Sequence, residues 1–237
     1  MAITLVQSNS DTSWISASHT ISLSAAPTAG NLLVATINYH HSIGGSPSFP
    51  AGWDVLFFED RGSNHNRLIV GAKVADGSET ALTVTTPSGA AAARAYLEYS
   101  GVALSLVRSG TYAGLDPRAI TLDESSDSGL VVCFVASDGR LLSTHPNDPA
   151  YDVDEETADP SSGNNTAQIL VASKKGGFIT PAAHNYTLQS EQPTVSALMY
   201  MALLAESGGG LGAPTLSNPT ATSVSATSIG FKVPVTF

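Results

Sequence analysis

The sequence predicts an all-β protein: an antiparallel β-sandwich, jelly-roll type, built from two pseudo-repeated halves and followed by an extended C-terminal arm. Three observations lead there. Short runs rich in β-branched and aromatic residues are bounded by Gly, Pro, Ser, Asn and Asp, the punctuation of strands and tight turns. No segment carries a capped helical apolar stripe; only Ala90–Ala93 reads as a helical turn or part of a loop. The order of apolar runs and turn residues in the first half then recurs about 100 residues later, too long a period for a solenoid unit, which repeats every ~20–50 residues.

The elements follow in order. Ile21 and Leu23 match Ile120 and Leu122, and Leu32–Ala35 match Leu130–Cys133. Trp53 to Val55, just after Pro50 and Ala51, match Tyr151 to Val153, just after Pro149 and Ala150. Leu68–Lys73 match Ile169–Lys174 at an offset of 101, and Ala95–Tyr99 match Ala197–Met201 at an offset of 102. Strands are expected at Leu32–Tyr39, Val55–Phe58, Leu68–Val74, Leu82–Thr86, Arg94–Ser100, Leu130–Ser137, Gln168–Ser173 and Ala197–Leu204. Several of these runs are apolar at nearly every position, so neither of their faces suits water, and the halves are expected to share one two-sheet core. The sandwich is placed at residues 1–206, with pseudo-repeats at about 20–101 and 119–204. A Gly-rich linker at 207–213 precedes a β arm at 214–237. That arm is too short to bury a core of its own, so it is expected to complete the sheet of a neighbouring chain through Leu216, Val224, Ile229, Phe231, Val233, Val235 and Phe237.

Composition narrows the function classes. The chain has 237 residues, 42% of them hydrophobic, enough for a substantial core without staples. Cys133, its single cysteine, sits in an apolar run and reads as a buried, inert thiol. No cofactor is implied. The first ten residues lack the basic region and apolar stretch of a signal peptide, and no apolar run approaches the ~20 residues of a membrane helix. Synthesis in a host cytoplasm, with no membrane insertion, is therefore expected. A formal net charge of −10 argues against nucleic acid, which needs clustered cations. Half of the acids lie between Asp123 and Asp159, where Arg140 is the only basic residue, and should form an acidic rim.

Constellations that could carry chemistry have simpler readings. His40, His41 and His65 with Glu59 or Asp60 are suitable metal ligands, yet neighbouring strand residues point to opposite faces. Asp152, Asp154, Glu155, Glu156 and Asp159 offer oxygens for calcium, but lack the glycine and terminal glutamate of an EF-hand loop, and read as a solvated acidic loop. His145 and His184 are not accompanied by a nucleophile elbow, and the glycines of 208–212 have neither the Lys nor the helix of a phosphate-binding loop. Asn164 with Thr166 and Asn185 with Thr187 are chance glycosylation patterns. No metal site and no catalytic set is nominated. Trp53 and Tyr151 occupy equivalent places and read as plugs at the sandwich ends, whereas Trp14, Tyr39 and Tyr112, with the loops at 40–49 and 138–150, form the candidate ligand surface, suited to a glycan.

Residues Gly30 to Ala35, Pro50 to Trp53, Leu68–Val74 and Tyr96–Val102, echoed in the second half, resemble a jelly-roll β-sandwich module of bacteriophage virion proteins and some bacterial surface proteins. Pro214, Thr215, Leu216, Thr220 to Thr222, Val224, Ala226 and Thr227 resemble the opening of fibronectin-III or Ig-like repeats, cut short here. The resemblance implies a non-enzymatic virion structural role: capsid decoration, or a tail or fibre component, with copies of itself and other virion proteins as partners. A glycan- or receptor-binding adhesion module is the alternative.

Overall fold

A computed structural model of the chain describes residues 2–41, 46–60, 65–114, 118–124, 129–137, 151–158, 167–175, 182–188 and 197–207. Among them run twelve strands: β1 (Thr4–Ser22), β2 (Leu32–His41), β3 (Asp54–Asp60), β4 (His65–Val74), β5 (Ala81–Ser100), β6 (Val102–Gly114), β7 (Arg118–Glu124), β8 (Leu130–Ser137), β9 (Asp152–Ala158), β10 (Gln168–Lys175), β11 (Ala182–Leu188) and β12 (Ala197–Glu206). The protein is all-β. One five-stranded antiparallel sheet has the order β1-β5-β2-β4-β3, a second the order β6-β12-β8-β10-β9, and β11 pairs with β7. Ala90–Ala93 lie inside β5 rather than in a helical turn or loop: small side chains give no helix a face to bury, and β1 and β2 supply ladder partners on both sides.

The two large sheets pack face to face as a β-sandwich. Leu32, Val34, Leu68, Val70, Leu97 and Tyr99 from the first interdigitate with Leu130, Val132, Phe134, Ile169, Val171 and Tyr200 from the second in one buried cluster. Phe57 stacks on Tyr200 with ring centroids 4.7 Å apart, bridging the layers. The alternate residues Leu33, Ala35, Ile37 and Tyr39 face outward and are buried just as fully, because the chain folds back over them. β1 and β5 form one long ribbon in which Ser18–Ser22 pair with Ala81–Thr85, beyond register shifts between Ser13 and Ser18. Ile21, Leu23, Leu82 and Val84 from this distal half join the cluster around Leu33 and Tyr96. Phe49 and Trp53 complete the cover, stacked at 5.2 Å, with Phe49 pressed on Gly71, where an added Cβ would lie 2.7 Å from its ring.

Strands about 100 residues apart hold corresponding places in the two sheets: β8 sits where β2 does, β9 as β3, β10 as β4, β12 as β5 and β6 as β1. The irregularities correspond as well. The ladder skips Leu56 between Val55 and Phe57 opposite Gly71 and Val70, and skips Asp154 between Val153 and Glu155 opposite Ala172 and Val171. One pairing differs from the sequence reading. Leu32 lies opposite Tyr99 and Leu130 opposite Leu204, so Tyr99 corresponds to Leu204, 105 residues on, and not to Met201. The offset of 102 would set the inward Ala95 against the outward side of β12, because a three-residue slip, like any odd slip, swaps the faces of a strand whose period is two.

Candidate functional site

The strand registers give the sandwich two chemically distinct ends. At one, β2 finishes at His41, β8 at Ser137 and β6 at Gly114, while β4, β10 and β12 begin at His65, Gln168 and Ala197. These ends belong together because Asn38 crosses the core. Its Nδ2 donates to the carbonyls of Ser137 at 2.8 Å and Gln168 at 2.7 Å. The segments 42–45, 138–150 and 159–166 all spring from this loop end and lie outside the described residues.

Behind it, the outer face of the first sheet carries ion pairs in which buried arginines meet more exposed carboxylates. Arg67, fully buried, meets Asp60 on β3 at 2.7 Å, with its guanidinium 5.7 Å from the Tyr39 ring. Burial pushes the Tyr39 hydroxyl well above the usual tyrosine range; the Arg67 charge opposes this and Asp60 adds to it. Arg94 donates to Asp11 at 2.8 Å and contacts His19 Nδ1 at 3.4 Å, while His19 Nε2 reaches Thr86 at 3.2 Å. Buried between the sheets, the Asn66 side chain and the Asn38 Oδ1 meet no protein hydrogen-bond partner.

The opposite end holds both chain termini of the sandwich. Thr4 pairs with Ser100, Glu206 with Val102, and Ser207 N donates to Gly101 O at 2.8 Å, so the C-terminal segment departs here. Tyr99 from the first sheet donates to Asp154 Oδ2 at 2.6 Å, and Lys175 Nζ reaches Oδ1 at 3.0 Å and Asp152 at 3.2 Å. The Asp154 side chain is 2% exposed and serves as a sheet-to-sheet clasp. Burial, reinforced by the Asp154 charge, drives the Tyr99 hydroxyl far upward. Nearby, buried Glu98 accepts from Gln7 Nε2 at 2.6 Å, Asn31 Nδ2 at 2.6 Å and Thr28 N at 2.8 Å.

The nominated residues fall as follows. Tyr39 is not on a ligand surface: it is fully buried beneath the folded ribbon, because outward-facing positions of β2 are covered. Trp14 lies on β1 between the pairs Ser13–Ala92 and Ser16–Ala90, near the loop end, and Tyr112 opposite Met199 on β6. Leu216, Val224, Ile229, Phe231, Val233, Val235 and Phe237 lie outside the described residues, as do Asp159, His145, Asn164 and the glycines of 208–212. His41 stands opposite His65 and His40 opposite Asn66, while Asp60 is engaged by Arg67. Asp152, Asp154, Glu155 and Glu156 belong to edge strand β9 rather than a loop: Asp152, Glu155 and Glu156 pair with β10, and Asp154 sits at the bulge between them. Among the described residues no three His, Cys, Asp or Glu group to hold a metal, and no helix is long and apolar enough to cross a membrane. Trp53 and Tyr151 do pack, but on the outer faces of the sheets and not at their ends. Cys133 is buried, and burial raises its thiol well above the usual range. Sequence reading passed over Asn38, Arg67 and the Tyr99 hydroxyl, and took Asp154 for part of a solvated acidic loop; the available signal was a polar residue interrupting or abutting an apolar strand run.

No family model, curated protein or solved structure matches the chain.

Proposed function

We propose that this chain is a non-enzymatic structural protein of a bacteriophage particle, exposed on its surface as a capsid decoration or a tail or fibre component. On this reading it assembles with copies of itself through its C-terminal arm, and its sandwich is a duplicated jelly roll. The observation that supports it best is the polarity of the protomer: the chain departs past Glu206 at one end, while the strand ends that lead into 42–45, 138–150 and 159–166 lie at the other. Such a body can be tethered from one side and present loops on the opposite side. The held carboxylates also support it, since those of Asp11, Asp60, Glu98 and Asp154 each accept from a donor of the fold and act as fasteners.

Solution mass by light scattering tests this reading, for the full chain and for one ending at Glu206. A full-length oligomer that becomes monomeric on truncation supports arm-mediated assembly; monomers in both cases refute it. The placing of His41, Ser137 and Ala158, the strand ends from which 42–45, 138–150 and 159–166 begin, at one end favours a second reading, a glycan- or receptor-binding adhesion module. Binding of the full chain to a glycan panel, lost on substitution of Trp14 or of residues in 138–150, would support it.

A further inference from the structure

We infer that the lateral seam between β3 and β6 receives segment 229–237 of a second copy of this chain. This rests on the arm-mediated assembly proposed above and names its acceptor surface.

The two long sides of the sandwich have corresponding architecture and opposite chemistry. On the side where β1 packs over β9, the Tyr99–Asp154–Lys175 clasp closes the gap between the sheets. The strand registers place Leu204, Leu56 and Val74 at the corresponding positions of the β3–β6 side. All three of these side chains are apolar, so they form no such clasp. Val74 is 45% exposed and Leu106 on β6 is 43%, two of the four large exposed apolar side chains among the described residues, and Leu106 lies opposite Leu204. Leu5, which corresponds to Leu106, packs instead against the core. Among the described residues β3 and β6 are also the terminal strands of their sheets, and a terminal strand offers an edge to which another strand can add.

The occupant is argued from the chain itself. Ile229, Phe231, Val233, Val235 and Phe237 alternate and would line one face of a strand, leaving Gly230, Lys232, Pro234 and Thr236 on the other. Pro234 suits a strand paired along one edge only. Segment 208–228 can extend to ~70 Å, about twice the ~33 Å length of ten-residue β12, so it is long enough to reach the seam of a neighbour. An apolar strand added to a free edge satisfies backbone and side chains in one step.

The test uses the full chain with Leu106→Cys and Val233→Cys together; Cys133 is buried and serves as an internal control for specificity. Mild oxidation should yield cross-links between chains in the double variant and not in either single variant. In parallel, Leu106→Glu with Val74→Lys should move self-association at least about tenfold higher in concentration, the scale of one well-buried contact, with the thermal melt of the monomer retained. A cross-link within one chain overturns the second copy as occupant. An oligomer that forms no cross-link and ignores the charged variants overturns the seam while leaving arm-mediated assembly standing. A monomeric parent overturns both.

Discussion

Removing the Asp154 carboxylate should be among the most damaging single changes outside the apolar core. Asp154→Ala leaves Tyr99 OH, fully buried, with its acceptor gone, a cost of about 1–3 kcal/mol for the unsatisfied hydroxyl. It also strips Lys175 of its closest carboxylate, where breaking a buried pair costs about 3–5 kcal/mol. The Lys175 side chain is 19% exposed and retains exposed Asp152, which places its share well below that range. The sum is about 3 kcal/mol. Urea unfolding followed by tryptophan fluorescence should show a midpoint lower by about 1 M with an unchanged m-value. The triple variant Asp154→Leu, Tyr99→Phe, Lys175→Val removes every member of the clasp and imitates Leu56 and Val74 of the other side. It should recover more than half of the loss, because apolar replacement of a whole buried network is far cheaper than orphaning its partners. A single-variant loss under 1 kcal/mol, or a triple variant worse than the single, would refute the clasp as the fastener of that side.

Asn66→Leu should be neutral or stabilising by about 1 kcal/mol, since the buried amide meets no protein partner and the replacement has similar volume; a loss above 2 kcal/mol in the same unfolding assay would contradict this. Burial raises the hydroxyls of Tyr39, Tyr96, Tyr99 and Tyr200 above the ordinary value of 10.0. The unfolded chain therefore releases these protons first, and stability present below pH 10 is lost as pH rises, at up to ~1.4 kcal/mol per pH unit for each group. Ultraviolet titration at 295 nm should show these four ionising only with unfolding; full ionisation of all seven tyrosines by a still-folded protein would contradict it. Gly101→Ala should cost about 1–3 kcal/mol: its φ is +75° and an added Cβ would lie 2.7 Å from the Ala2 carbonyl oxygen. An unchanged thermal midpoint would count against that geometry.

Strand existence was legible in the sequence because β-branched runs bounded by Gly, Pro and Asn are local signals. Leu32–Tyr39, Leu130–Ser137 and Ala197–Leu204 stand within two residues of β2, β8 and β12. The inert Cys133 and the correspondence of Leu68 with Ile169 were readable for the same reason. Facing was not. In β2 every residue from Leu32 to Tyr39 is buried, so alternation cannot say which side meets the second sheet and which lies beneath the distal ribbon. That choice is made by the bend in β1 and β5, which brings Ile21 and Leu82 over Ala35 and Tyr96 and hides Tyr39 from any ligand. Asp154 read as solvated charge and Arg67 drew no reading at all, because their partners, Tyr99 and Asp60, lie 55 and 7 residues away and meet them only through sheet packing and strand pairing. Local composition determined that the chain makes strands; the pairing of distant strands and the cover on each face decided what every polar residue in them is for.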